Sequence, residues 1–514
     1  MDCLPLILVF CIFISILLTF ISYNTKMSAM EIVNDMGLGW NMANTFECYS
    51  INEKIEDPEE IIKLWGNGVP TKNMFIKLKK YGFKTIRFPI IWMNFMDDSG
   101  KVDNKWMSKI KEVVDLIIDL NMYCIINIFH DGSEGNWLSK GLIAQKRYII
   151  LWEQIAENFK DYDEHLIFES MNHVQYNIGN NYDFDTLFTL TQSFVDTIRS
   201  SKGNNKHRLL LITGADTNLD LTCSEEFKLP KDPSNKLAVS IHYYNPSQFT
   251  IESKDDPYTW VEDGVTYIIP ALTQWGSESE YKDIFSDFEE MKNAFTDKGI
   301  PVILGEIGVL TEENKEIDSI RDYLYTVFSM SAAYEGIMSC LMDKSNKIKG
   351  NMNYYDRVND KWYDEIIQKN FKKISRGKFI NPKDYYIYSN KDNSTIMPDG
   401  NLYLKIGNKK ALKIIFNCFL STRDLYSVGF GIESLNSGGG WIGEGIGGNN
   451  GKKEYDGSYT YSIIITNKDF NAQIKITKWW GKEHITFNYL SIEYEQSYTF
   501  FNFDEYIKAV QLYK

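Results

Sequence analysis

The chain has 514 residues, 14% of them aromatic, and a formal net charge of -14. That length exceeds one ordinary domain and predicts a large domain with a smaller module. The acidic balance argues against a nucleic-acid partner, because phosphate binding needs a basic surface. The six His residues fall in no HxxxH or HExxH spacing, so no metal and no cofactor is implied.

In chain order, Cys3 to Asn24 carries no charge and Leu6–Ser22 is almost wholly apolar. Residues 1–25 are read as a secretory signal peptide, with a retained membrane anchor as the alternative; either way the bulk of the chain is expected outside the cell. Beyond them Cys48, Cys124, Cys223, Cys340 and Cys418 are scattered without CxxC spacing, which predicts buried free thiols rather than a disulfide framework.

Strand-like and helical runs then alternate. Phe83–Trp92, Tyr123–His130, His165–Met171, Leu209–Thr213, Leu237–Tyr243 and Ile300–Gly305 read as strands. Trp106–Leu120, Ala144–Phe159, Phe184–Ser200, Tyr281–Lys298 and Ile320–Tyr334 read as helices. Repeated β-then-α units predict an α/β fold, a (β/α)8 TIM barrel over residues 30–375, with chemistry at the C-terminal ends of the strands. Near residues 375–385 helical periodicity stops. Short alternating runs and a Gly-rich stretch, Gly438–Gly451, then predict a smaller all-β sandwich over residues 380–514.

Several barrel segments carry a family resemblance. Gly39-Trp40-Asn41-Met42-Ala43-Asn44-Thr45 opens the series, followed by Trp65-Gly66-Asn67 and Gly82-Phe83-Lys84-Thr85-Ile86-Arg87-Phe88-Pro89. Ile167-Phe168-Glu169-Ser170-Met171-Asn172, His242-Tyr243-Tyr244 and Gly305-Glu306-Ile307-Gly308 follow in order. Together they resemble glycoside hydrolase family 5, the cellulase-like β-glucanases. The resemblance implies double displacement at a β-glycosidic bond: one carboxylate attacks the anomeric carbon while a second carboxyl, about 5–5.5 Å away, protonates the leaving oxygen. It makes Glu306 the nucleophile, with Arg87 beneath it keeping it ionised. His242 and Tyr244 would orient that nucleophile and the sugar, and Asn172 would bond the sugar's C2 hydroxyl. Asn41, His130 and Trp275 complete the implied sugar-binding set.

Three positions depart from the family pattern. Where the family places its acid/base Glu after Asn172, this chain has His173. An imidazole titrates far above a carboxylic acid, and its cation is expected to meet Glu306. Glu169 is no substitute, lying roughly 13 Å back along the same strand. Secondly, Phe129 replaces a sugar-contacting His in Asn127-Ile128-Phe129-His130. Thirdly, Leu341-Met342-Asp343-Lys344 stands where the family has Trp-Trp-Asp-Asn, so the indole platform is lost.

In the C-terminal module Trp441, Trp479 and Trp480 are candidate sugar-stacking residues, as on a carbohydrate-binding module, or else core fillers. Three functions stay open: a monomeric β-glucan-binding protein with lost or impaired catalysis; an active retaining endo-β-1,4-glucanase using Glu306 with an atypical acid; and a wall-binding structural or adhesive protein. Each makes a β-glucan the partner.

Overall fold

The computed structural model describes residues 27–50, 55–129, 141–173, 177–178, 181–253, 258–262, 265–269, 271–276, 278–311, 315–345 and 351–378. Further on it describes 402–407, 411–420, 429–434, 440–441, 446–447, 450–453, 459–464, 472–480, 485–494 and 498–502. The apolar leader and the expected boundary region 375–385, apart from 375–378, lie outside these residues.

Eight parallel strands close a barrel: β1 (Leu38–Met42), β2 (Phe83–Phe88), β3 (Tyr123–Asn127), β4 (Leu166–Glu169), β5 (Leu210–Thr213), β6 (Leu237–Tyr243), β7 (Val302–Ile307) and β8 (Ile337–Asp343). Each pairs with its neighbours in sequence, and β1 pairs with β8. The expected helices are present as Asn104–Ile118, Gly141–Phe159, Phe184–Ser200, Glu278–Ala294 and Ile317–Ala333.

β2, β3 and β4 end earlier than the apolar runs that announced them, β5 and β6 end with theirs, and β7 runs past its own. Pro89 has no N–H to continue the β2 ladder, and a 3-10 turn, Met93–Phe95, follows. Beyond β2 the amide of Ile90 bonds the side chain of Asn127, the last residue of β3, instead of a backbone partner. At the other end of the barrel Pro301 delays the start of β7, which then runs on through Glu306.

The two-residue period of a strand sorts side chains between the barrel's outside and its interior. Ile86, Phe88, Cys124, Ile126, Phe168 and Ile212 join the large cluster that includes the surrounding helices. Ile125, Ile167, Leu211, Ala238, Ile303 and Met338 instead join Ile32, Val33 and Met36 of the helix Ala29–Met36. That helix therefore supplies the apolar face against which the inward side chains pack. It is set by a capping box, Ser28 with Glu31, at its N-terminus. One layer further along the strands the inward positions turn polar: Asn41, Arg87, Asn127, Glu169, Ser240 and Glu306.

Cys48, Cys124 and Cys340 are buried free thiols and Cys223 is half-buried, as expected. In the C-terminal part the described strands form two five-stranded sheets with antiparallel pairing throughout. Cys418 and Trp441, Trp479 and Trp480 lie on these strands, and their side chains are outside the described residues.

Gly39 on β1 has no room for a side chain: a Cβ there would lie 2.3 Å from Cys340 Sγ and 3.1 Å from the Ser339 carbonyl. Gly39→Ala is expected to cost about 1–3 kcal/mol in urea denaturation through overpacking. Adding Cys340→Ala should recover part of it. Equal stability of Gly39→Ala and the parent would show that β1 and β8 are less tightly apposed than described.

Candidate active site

Arg87 projects from β2 into the polar layer and is fully buried. Its Nε donates to Glu169 Oε2 at 2.8 Å, and its Nη2 to Glu169 Oε1 at 3.2 Å. Nη1 donates to Asn41 Oδ1 at 2.8 Å and to Glu306 Oε1 at 3.1 Å. Nη2 also donates to Asn172 Oδ1 at 2.6 Å and lies 3.4 Å from His242 Nε2. One planar guanidinium therefore ties together β1, β2, β4, β6 and β7. Glu169 receives two further bonds, from Asn127 Nδ2 at 3.0 Å and Ser240 Oγ at 2.6 Å.

Gly305 makes this approach possible. A Cβ at that position would meet Arg87 Nε at 3.1 Å and Ser240 Oγ at 3.3 Å. The register of β7 against β6 shifts between Leu304 and Glu306, after which Glu306 stands opposite His242.

Glu306 accepts from the Tyr244 hydroxyl at 2.9 Å, and His242 Nδ1 lies 3.6 Å from its Oε2. Burial opposes ionisation of Glu306, but a charge on His242, when it is present, together with Arg87 and the Tyr244 hydroxyl outweighs it and holds the Glu306 pKa below the usual carboxylate range. Burial drives His242 the other way, to about 3, with Arg87 and His173 adding to the effect against Glu306. His242 is thus neutral at ordinary pH, and the Glu306 anion rests on Arg87 and Tyr244.

His173 sits in the loop after β4. The loop is tied to its neighbours: the Asn172 amide donates to the Ile128 carbonyl at 2.7 Å and the Met171 amide to Thr213 Oγ1 at 3.1 Å. The imidazole does not pair with Glu306 as the sequence led one to expect. Its Nε2 is 2.7 Å from Asp216 Oδ1, and its ring centroid is 6.3 Å from that of His242, the residue that does approach Glu306. Burial opposes the imidazolium, but the Asp216 carboxylate outweighs it and holds the His173 pKa above the usual imidazole value, with Glu306 contributing in the same direction.

These groups line a cleft of 560 Å³ whose walls also include Glu47, Tyr49, Trp65, Phe129, Met342 and Lys344. Tyr49 and Trp65 meet edge to face at 5.5 Å. The structure thus brings Glu306, His173, Asn172, His242 and Tyr244 to one opening, over Arg87 and Asn41. Phe129 and Met342 do line it, whereas Leu341 is buried in the core. Trp275 is placed elsewhere: it is buried against Phe249, Tyr281 and Tyr323 and offers no face to the cleft, because its ring completes an aromatic cluster. His130 lies outside the described residues.

Among the charged cleft residues, Asp216, Glu47 and Lys344 are those to which sequence reasoning gave no role. Asp216 had one usable signal, its place just beyond Thr213 at the C-terminal end of β5. Glu47 caps the turn after β1, accepting from the amides of Asn44 and, at 2.9 Å, Thr45.

A closed parallel barrel with an ionised carboxylate at its strand ends, set on a buried arginine beneath an open cleft, is the construction of a barrel glycoside hydrolase. The comparisons agree. The family model for cellulase (glycosyl hydrolase family 5) matches residues 40–346, and the chain belongs to that family. It is 32% identical over 322 residues to "Endoglucanase A" of Clostridium longisporum, a match covering 60% of this chain and 58% of that protein's length. It is 56% identical to a GH5-4 broad specificity endoglucanase from an uncultured bovine rumen ciliate, with a TM-score of 0.66, covering 68% of this chain and 99% of that one. A GH5-4 broad specificity endoglucanase from Ruminococcus champanellensis with bound cellotriose is 27% identical, with a TM-score of 0.59 and coverage of 67% and 98%.

Arg87 is the element whose removal should be felt most. Arg87→Met leaves Glu169 buried without its cation and is expected to lower the unfolding free energy by about 3–5 kcal/mol. Adding Glu169→Gln should reduce that loss. Urea denaturation at neutral pH checks both, and an unaffected Arg87→Met protein would contradict the network.

Proposed function

We propose that this chain binds β-1,4-linked glucan in the barrel cleft with Glu306 as its nucleophile, and hydrolyses it far more slowly than a two-carboxylate relative. The observation that carries the attenuation is the state of the remaining carboxylates. Besides Glu306, the cleft is lined by Glu47 and Asp216 among the described residues. Both oxygens of Glu47 accept backbone amides, and Asp216 is engaged by His173. Both carboxyl groups are thus already engaged within the protein.

The nucleophile half is complete by comparison. Arg87 and Tyr244 hold Glu306 anionic, and Asn172 and Asn41 are ordered by the same guanidinium. Phe129 brings an apolar ring where the family pattern has a hydrogen-bonding imidazole, and Met342 a flexible thioether where it has an indole. These changes weaken sugar orientation as well as proton transfer. The bound cellotriose of the Ruminococcus champanellensis relative supports the choice of ligand class.

The location and the C-terminal half belong to the same reading. We take the apolar run Leu6–Ser22 as the leader that brings the barrel to an extracellular polysaccharide. We take residues 380–514 as a β-sandwich whose Trp441, Trp479 and Trp480 add a second glucan contact.

The test pairs a polymer with an activated glycoside. Mixed-linkage glucan and xyloglucan should be turned over about 10²–10⁴ times more slowly than by an endoglucanase with both carboxylates. Purified protein should still release 2,4-dinitrophenolate from its β-cellobioside, because that leaving group needs no proton, and Glu306→Gln should abolish the release. Cellotetraose binding by calorimetry should survive in Glu306→Gln. Polymer cleavage at the rate of the relatives would overturn the attenuation.

A further inference from the structure

The contact between His173 and Asp216 is too close to be incidental. His173 Nε2 stands at ion-pair distance, 2.7 Å, from Asp216 Oδ1, a buried oxygen that has no hydrogen-bond partner among the described residues. Asp216 is also held there by backbone that is hard to form. Its φ is +51° and that of Thr217 is +48°, a left-handed conformation that a β-branched residue rarely adopts. The turn is fixed at both ends. Gly214 packs so closely that a Cβ would lie 2.4 Å from Thr222 Oγ1 and 2.8 Å from the Ser240 carbonyl. On the far side Asn218 caps the next helix, accepting from the Leu221 amide at 3.0 Å. His173 is equally constrained through Asn172, whose side chain is bonded to Arg87 and whose amide is bonded to Ile128.

We propose that Asp216 is the positioning residue of an imidazolium–carboxylate pair, in which His173 supplies the proton to the departing glycosidic oxygen. This rests on the reading that the cleft binds β-glucan, and it assigns the residual turnover to named atoms. In the first step a Glu306 oxygen forms a bond to the anomeric carbon. The bond from that carbon to the leaving oxygen breaks, and the oxygen takes the electron pair together with the proton of His173. In the second step the now neutral imidazole accepts a proton from water, whose oxygen bonds to the anomeric carbon and releases the Glu306 carboxylate. Both the imidazolium and the nucleophile are then restored. Asp216 touches no substrate. It fixes the ring's orientation and favours its charged form, as a carboxylate does for any imidazole that works as an acid.

The pH sign follows from the groups around the ring. Asp216 faces it from the loop after β5, His242 from β6 and Glu306 from β7, with Glu47 and Lys344 lining the same cleft from the loops after β1 and β8. His173 is held above its ordinary range and Glu306 below its own. Turnover that depends on the acid is therefore present between the two and is lost as pH rises through the value of His173.

The experiment compares full-length wild type, Asp216→Asn, Asp216→Glu and His173→Ala on phenyl and 2,4-dinitrophenyl β-cellobiosides across pH. Asp216→Asn should slow phenyl release by about tenfold or more, with a clearly smaller effect on dinitrophenolate, because only the first leaving group needs a proton. It should also move the alkaline limb of kcat/KM for the phenyl substrate to lower pH, and Asp216→Glu should restore part of both. In ¹⁵N-histidine spectra the titration of His173 should shift to lower pH in Asp216→Asn, a readout independent of turnover. An unmoved limb together with an unmoved titration would overturn the pair while leaving the slow-hydrolysis reading intact. Wild type with no proton-dependent phenyl release would overturn the pair as well. Loss of cellotetraose binding by wild type would instead overturn the glucan reading on which it rests.

Discussion

The whole upper layer of the barrel is organised around the guanidinium of Arg87. Fully buried, one positive charge meets two carboxylates, Glu169 and Glu306, which differ in exposure. Burial alone would weaken the cation, but Glu169 and then Glu306 outweigh it and hold its pKa above the usual arginine value. Glu169 is fully enclosed and receives bonds from Arg87, Asn127 and Ser240, so its charge is spent on structure. Glu306 receives one bond from Arg87 and one from Tyr244, and it lines the cleft. The arrangement is electrostatically asymmetric by design of position alone: the deeper carboxylate anchors the arginine, and the arginine anchors the shallower one. A buried ion network of this kind contributes less to net stability than to fixing geometry, since each charge has lost its hydration.

Much of that geometry was legible because it depends on order along the chain and on strand parity. Arg87 between Ile86 and Phe88 must face inward if its neighbours face the helices, and the same parity turns Glu169 inward beside Phe168. The barrel likewise follows from alternating strand and helix periods, whose boundaries moved by a few residues, at β2 because Pro89 cannot continue the ladder. What sequence could not give is pairing between loops. Asp216 lies 43 positions beyond His173, and nothing in either segment announces a 2.7 Å contact. It depends on a left-handed turn at Asp216 and Thr217, where Thr is a poor indicator of positive φ. Trp275 illustrates the opposite failure. An indole near a sugar site invites a stacking role, yet its aromatic neighbours claim both faces of it for the core.

The three departures from the family pattern acquire different weights once they are placed in space. Leu341 is buried among the barrel's core residues, so its exchange for an indole concerns packing. Met342 is the member of that pair that reaches the cleft, where its sulfur also meets Asn41 Nδ2 at 2.8 Å. Phe129 lines the same opening. A thioether and a phenyl ring preserve apolar contact with a sugar face but offer few directional bonds to its hydroxyls. On the proposed reading, sugar binding would lose specificity more than contact area, while the proton-transfer position changes in kind.

The charge balance explains why an imidazole is tolerable at that position and why it remains a compromise. A second carboxyl beside Glu306 would be pushed toward its neutral, proton-bearing form by the like charge. An imidazolium is instead attracted by Glu306, so its proton is held while the nucleophile is an anion. In the proposed reaction the negative charge of Glu306 disappears as it bonds to the sugar, and the hold on the proton of His173 weakens at the moment the leaving oxygen needs it. The coupling therefore has the correct direction for acid catalysis. Its weakness is Asp216, whose negative charge does not change during the reaction and keeps favouring the cation throughout. The feature that orients the ring also makes it a poorer donor than a carboxylic acid, and in the second step it makes the proton easier to regain from water. Under the proposed mechanism the pair is therefore better matched to deglycosylation than to departure of an alkoxide, and the slow step would be cleavage of the glycosidic bond.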